Sequence, residues 1–329
     1  MARRHMVVFP PPLGAETMTG EPRRGMSMAR SVAEILAAEK PQLDALRAAP
    51  YGRRPMDVLI VGAGYLSRFL IPQLIADGHR VTATTRSEER FGELESLGAT
   101  PARFDVAEST QSESISAGYH VVIYSAAAGR GGDRAQVFGQ GPISVLERVQ
   151  SPTLKRFILT SSIGVFYRTD GEWIDEASAP RTEDQKGELL EGEVNLLTVN
   201  APVTVLRLAG LYGPGRNPVD WMGDERKRDR ICRGDPKGFV NWLRIEDAAS
   251  AVLCTAEADD TAPLYNVVDD VPAVREEFYA LACSLGAHPP LTFTGQGNLG
   301  KRVRNEKIKR DLGWAPSFPS YREGLRDLT

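Results

Sequence analysis

Asp57-Val58-Leu59-Ile60-Val61-Gly62-Ala63-Gly64-Tyr65-Leu66-Ser67 decides how the rest of the chain is read. Val58 to Val61 are all aliphatic, which fits a strand covered on both faces. Glycines at 62 and 64 end the strand in a tight turn. From Tyr65 to Asp77 the apolar residues fall at Leu66, Phe69, Leu70, Leu74 and Ile75, the spacing of one helix face. Strand, glycine turn and helix in that order leave backbone N–H groups at a helix N-terminus, where they attract phosphate. Gly62-x-Gly64-x-x-Ser67 therefore predicts a dinucleotide pyrophosphate against Gly62, Ala63, Gly64, Tyr65 and Leu66. Ser67 stands where a third glycine is usual, and it is small enough to let helix and strand pack closely.

The next strand, Arg80 to Thr85, sets the kind of dinucleotide. NAD sites place an acid at its end to hold the ribose 2′-hydroxyl, whereas NADP sites place an arginine there for the 2′-phosphate. Here the end reads Thr84-Thr85-Arg86-Ser87, with no acid before Glu88. Arg86 offers a planar, multi-donor cation, and Ser87 adds a hydroxyl. The cofactor expected is NADP, with NAD less favoured.

Outward from this unit the pattern repeats. Arg90 to Leu97 reads as a helix closed by Gly98, followed by strands at Thr100 to Phe104 and His120 to Ser125. A helix at Gln140 to Gln150, a strand at Arg156 to Ser161, a helix at Glu188 to Val199 and a strand at Val203 to Leu208 complete the series. This alternation predicts an α/β fold: a doubly wound parallel sheet (Rossmann) with a small irregular C-terminal substrate lobe. The expected Rossmann domain covers 56–211. The expected substrate lobe covers 212–329, with a helix at Glu246 to Ala256 returning to the sheet. The mixed-sign run Asp224 to Arg230 reads as a mobile, solvated loop over the cleft.

Before the glycine turn, 1–28 reads as a disordered leader, with Met26, Met28 and Met56 as alternative starts. Residues 29–55 read as an amphipathic helix, split at Pro41, and a linker. Nothing there has the form of a signal peptide, and no apolar run approaches a membrane span. A formal net charge of -3 over 329 residues gives no electrostatic reason for nucleic acid or a membrane surface as partner. Cys232, Cys254 and Cys283 are scattered, as in a reduced cytoplasmic protein, and His5, His79, His120 and His288 have no metal-ligand spacing. No metal is expected.

Several further stretches together resemble the extended and atypical members of the short-chain dehydrogenase/reductase superfamily, the NAD-dependent epimerase/dehydratase group. They are Phe104-Asp105-Val106, Val121 to Ala127, Phe157 to Tyr167, Leu206 to Arg216, Asn241 to Ala248, Tyr265-Asn266-Val267 and Lys301 to Asn305 with Leu312-Gly313-Trp314. The resemblance runs from about Asp57 to Leu328. It implies that Asp105, with Val106, lies by the adenine. It puts Ser125, Ala126 and Ala127 beside the cofactor ribose, and Leu208 and Gly210 near the nicotinamide. Ser162 takes the place of the family's catalytic serine. A homodimer through two core helices is also implied.

One departure decides the chemistry. The family's proton transfer uses Tyr-x-x-x-Lys, in which the lysine lowers the tyrosine pKa. None of the nine tyrosines here has a lysine four residues on. Counted back from Glu193, Gln185 and Leu189 occupy those two positions. Candidate groups that remain are Ser162, Tyr167 and Lys186 for catalysis. Arg216 and Arg244, at a position where the family often has His, are candidates to hold a substrate carboxylate or phosphate. The expected function is an NADP-dependent oxidoreductase or epimerase acting on a small polar substrate. A non-redox dehydratase, isomerase or cyclase on the same scaffold, and a non-catalytic NADP sensor, are the alternatives.

Overall fold

The computed structural model describes residues 54–111, 114–129, 131–180 and 187–329. The expected leader at 1–28 and nearly all of the helix and linker at 29–55 lie outside them. In chain order the elements are β1 (Asp57–Val61), α1 (Tyr65–Ala76), β2 (Arg80–Thr85), α2 (Phe91–Ser96), β3 (Thr100–Arg103), β4 (Val121–Tyr124), α3 (Gly141–Val149), β5 (Arg156–Ser162), β6 (Trp173–Ile174), α4 (Gly187–Leu197) and β7 (Val203–Leu208). There follow β8 (Gly210–Tyr212), α5 (Pro218–Trp221), α6 (Glu225–Cys232), β9 (Phe239–Val240), β10 (Trp242–Arg244), α7 (Ile245–Glu257) and β11 (Leu264–Val267). The chain continues through β12 (Ala273–Val274), α8 (Arg275–Leu285), β13 (Arg302–Val303), α9 (Glu306–Leu312) and α10 (Tyr321–Arg326).

Seven strands form one parallel sheet in the order β11-β7-β5-β4-β1-β2-β3. The chain steps outward from β1 to β3, then returns to place β4 on the other side of β1. The connections therefore diverge between β1 and β4, which opens a crevice at their carboxyl ends. Side chains alternate between two apolar layers. Val58 and Ile60 of β1 face the layer that holds Leu66, Phe69, Leu70 and Leu74 of α1 and Ala248 and Val252 of α7. Leu59 and Val61 face the layer that holds Val145, Leu146 and Val149 of α3 and Leu196 of α4. The four aliphatic side chains of β1, Val58 to Val61, are fully buried, as the run demands. Pro72 sits inside α1 and removes one backbone hydrogen bond. Burial of Phe69, Leu70, Ile71 and Leu74 around it holds the helix regardless.

Residues beyond β8 build a third apolar cluster around Phe278, whose ring stacks on Trp242 at 4.6 Å. Two elements of this stretch return to the sheet: α7 joins the α1 layer, and β11 pairs with β7 from Leu264↔Val205 to Val267↔Leu208.

The expected loop at Asp224 to Arg230 is a helix, α6. Asp224 caps it, its side chain accepting from the Lys227 N–H at 3.1 Å. Ile231 is its one buried residue. An acid cap, good helix formers and a single apolar contact suffice, although the run has no apolar stripe. The helix expected at Arg90 to Leu97 opens instead as a 3-10 turn, Glu88–Arg90, before α2. Likewise a π-helical turn, Ala135–Gln140, precedes α3.

Candidate cofactor and active site

The glycine turn closes on its neighbours through backbone geometry. Gly62 has φ +83°, and a Cβ there would lie 2.4 Å from the Ala126 Cα. No other residue fits that approach of β1 to β4. The Gly62 N–H donates to Thr84 Oγ1 at 3.0 Å and the Ala63 N–H to the Thr84 carbonyl at 2.8 Å. Ser125 Oγ donates to the Gly62 carbonyl at 3.0 Å. Gly64 is exposed, and a Cβ there would meet nothing nearer than 3.9 Å. Because Gly64 is also the N-cap and α1 has no acid in its first turn, among the described residues no capping or acidic side chain neutralises the helix's positive end. The arrangement fits a pyrophosphate. Tyr65 is half-buried there, while Ala63, Leu66 and Ser67 are buried.

At the end of β2, Arg86 is exposed and makes no hydrogen bond or ion pair among the described residues. Its guanidinium lies beside Gly129, 3.5 Å from where a Cβ would stand. Ser87 follows, half-buried, its N–H on Thr85 Oγ1 at 3.4 Å. Sequence reasoning missed Arg90, four residues after Arg86. Its Nη1 donates to the Ala63 carbonyl at 2.6 Å and its Nε to Glu93 Oε2 at 3.0 Å. Arg68 holds the other Glu93 oxygen at 2.6 Å. Partial burial pushes the Glu93 pKa up, but the hydrogen bonds from Arg90 and Arg68 outweigh it and hold the carboxyl below its ordinary range.

Beyond β3, Asp105 Oδ1 accepts from the Ala107 N–H at 3.0 Å, and Val106 is buried in the α3 layer. Past β4, Ser125 and Ala126 are half-buried and Ala127 is exposed.

At the carboxyl end of β5, Ser162 pairs in register with Leu208, which is buried, and Gly210 just beyond is exposed. Ser162 Oγ accepts from the Gly164 N–H at 3.0 Å. Its own proton stays available to an incoming oxygen. Tyr167 is exposed, 37% of its surface being accessible. Lys186 lies outside the described residues. Leu189 of α4 is buried in the layer shared with Ile163, Val165 and Phe166.

Beneath this end runs a buried charged network. Arg207 Nη2 donates to Glu193 Oε2 at 2.6 Å, and Ser161 Oγ donates to Glu193 Oε1 at 2.5 Å. Glu193 and Arg207 are both almost fully buried, and the guanidinium lies 4.6 Å from the Phe166 ring centroid. α4 is pressed close to the π-helical turn, since a Cβ on Gly192 would lie 2.0 Å from the Phe138 carbonyl oxygen. Lys301 Nζ donates to the Phe166 carbonyl at 2.5 Å.

The two second-lobe arginines differ. Arg244, read as a candidate for substrate, turns inward and is 1% exposed. Its guanidinium donates to Glu246, Asp327 and the Gly324 carbonyl. Its donors are committed within the fold, which corrects that expectation. Arg216 is half-buried over the Tyr65 ring, 4.2 Å from its centroid, and Tyr65 Oη donates to the Pro214 carbonyl at 2.9 Å. So Arg216 lies by the glycine turn. Asp247 accepts the Ser317 and Phe318 N–H groups at 2.7 and 3.1 Å, yet burial raises its pKa to about 6. Among the described residues no helix is long and apolar enough to cross a membrane.

Residues 62–235 match the family described as NAD(P)H-binding. A 2-alkyl-3-oxoalkanoate reductase from Shewanella oneidensis is 30% identical, over 78% of this chain and 71% of its own. A 3-diazoavenalumate denitrifying reductase from a Streptomyces species is 26% identical, over 82% of this chain and 99% of its own. Among solved structures, a conserved protein of unknown function from Silicibacter pomeroyi superposes with TM-score 0.68 at 26% identity, covering 83% of this chain and 98% of that one.

Proposed function

We propose that this chain, which belongs to the NAD(P)H-binding family, is a short-chain dehydrogenase/reductase of epimerase/dehydratase type, an NADP-preferring oxidoreductase or epimerase acting on a small polar carbonyl substrate. The observation that carries the cofactor preference is Arg86. It stands at the end of β2 with no partner among the described residues and no acid beside it in the position that selects NAD. When bound, the nicotinamide supplies or accepts hydride at its C4. Gly62 and Gly64 admit the pyrophosphate to the N-terminus of α1. Arg86 and Ser87 take the 2′-phosphate, and Asp105 borders the adenine.

Ser162 donates a hydrogen bond to the substrate oxygen. The Gly164 N–H on its Oγ fixes the hydroxyl and sharpens it as a donor. Tyr167 and Lys186 are the groups proposed to exchange the proton that the family assigns to its tyrosine. The reductase relatives make 3-oxo acids the first substrates to try. A second reading, dehydration or isomerisation without net redox, is favoured by Leu189, which puts an apolar side chain where the family's lysine would bind the nicotinamide ribose.

The test is a fluorescence titration with NADPH and NADH, followed by assay against 3-oxo acids and nucleotide sugars. NADPH should bind at least about tenfold tighter, as one charge-assisted phosphate site provides. Tighter NADH binding would sink the cofactor reading. Ser162→Ala should bind NADPH as the wild type does and lose about 100-fold in kcat. Turnover with no change in NADPH absorbance favours the second reading.

A further inference from the structure

Gly213-Pro214-Gly215-Arg216 forms a tight turn in which Gly213 and Arg216 bridge, the Arg216 N–H donating to the Gly213 carbonyl at 2.9 Å. Gly213 has φ +147°, and a Cβ there would lie 2.6 Å from Ile245 and 3.2 Å from Tyr65 Oη. The turn therefore sits tightly against the first residue of α1, and its geometry fixes where Arg216 emerges. The guanidinium carbon of Arg216 lies over the Tyr65 ring, 4.2 Å from its centroid. It is half-buried, and among the described residues it has neither a carboxylate partner nor a hydrogen bond. Its donors all remain available. Other charge nearby does not balance it: Arg68 and Arg90 already share Glu93, Glu246, whose Oε2 would lie 3.5 Å from a Cβ on Gly213, is held by Arg244, and the first turn of α1 holds no acid. A half-desolvated, unpaired cation beside an uncapped helix N-terminus is an arrangement that an anion completes.

We propose that Arg216 is a ligand of the cofactor pyrophosphate, reaching it from the second lobe across Tyr65. Arg216 would thus serve the cofactor and not the substrate. This inference rests on the reading that a dinucleotide lies along the glycine turn, but not on which dinucleotide. Arg216 neutralises one pyrophosphate charge, Tyr65 sets the height of the guanidinium over the helix end, and the Tyr65 bond to Pro214 keeps the turn in place.

The experiment compares wild type, Arg216→Gln and Arg216→Lys by calorimetric titration with NADPH, NADH and adenosine 2′-monophosphate. The last probe carries the 2′-phosphate but no pyrophosphate. Arg216→Gln should lose tenfold or more in affinity for NADPH and for NADH by the same factor, and should bind adenosine 2′-monophosphate unchanged. Arg216→Lys should recover part of the loss, because it retains the charge without the fork. Unchanged NADPH and NADH affinity in Arg216→Gln overturns the assignment, and so does an equal loss of adenosine 2′-monophosphate. A wild type that binds NADH more tightly than NADPH overturns the NADP preference alone, and the NADH titrations of the variants still decide Arg216.

Discussion

The two ends of the crevice are built on different principles. At the glycine turn, position is set by backbone shape: Gly62 meets Ala126 with no space for a Cβ, and Gly64 leaves the end of α1 open. Around Ser162, position is set by buried charge: Glu193 joins Arg207 and Ser161 beneath the strand ends. A cofactor's phosphates can be recognised by peptide N–H groups that any sequence supplies once it turns correctly. A reaction needs particular side chains at particular places. The first end therefore states its ligand and the second does not state its chemistry.

The largest effect should come from violating the shape. Gly62→Val forces a β-branched side chain onto a positive φ and into the Ala126 backbone. We expect a loss above about 4 kcal/mol and no measurable NADPH binding, read by circular dichroism and cofactor fluorescence. A folded, cofactor-binding Gly62→Val protein would break the contrast.

The charged end should yield less. Glu193→Gln leaves Arg207 buried without its counter-charge and should lower stability by about 3 kcal/mol, measured from the denaturant midpoint. The residual folded protein should keep its NADPH affinity, since no cofactor-lining group moves. An equal loss of cofactor binding would show that the two ends are not separable.

The smallest effect is one of pH. Burial raises the Asp247 pKa from 3.8 to about 6. Between those values the folded chain holds a proton that the unfolded chain has released. This group's contribution is therefore full below pH 3.8 and is lost as the pH rises through about 6. Asp247→Asn should remove that slope from the melting temperature measured between pH 4 and 7. An unaltered slope would mean that the Ser317 and Phe318 N–H groups keep Asp247 ionised.

The same contrast governs what was legible in the sequence. The aliphatic run of β1 and the glycines carry their meaning locally, so the sheet and its NAD(P)-binding character could be read directly. Arg244 could not, because beside the local Glu246 its other partners, the Gly324 carbonyl and Asp327, lie 80 and 83 residues away, and only the fold shows that the guanidinium is internal. α6 was hidden because one buried isoleucine makes no periodic pattern. Arg90 was hidden because its partner is the backbone carbonyl of Ala63, and a carbonyl leaves no mark in a sequence.

Gly192 gives the scaffold an unexpected versatility. Its missing side chain lets α4 lie close to the Phe138 carbonyl, and Glu193 next to it locks the helix rotation. Position 189, where the resemblance places a lysine, is thereby held at a set depth, whichever residue occupies it. Changing the side chain at 189 means exchanging a tool in a fixed holder.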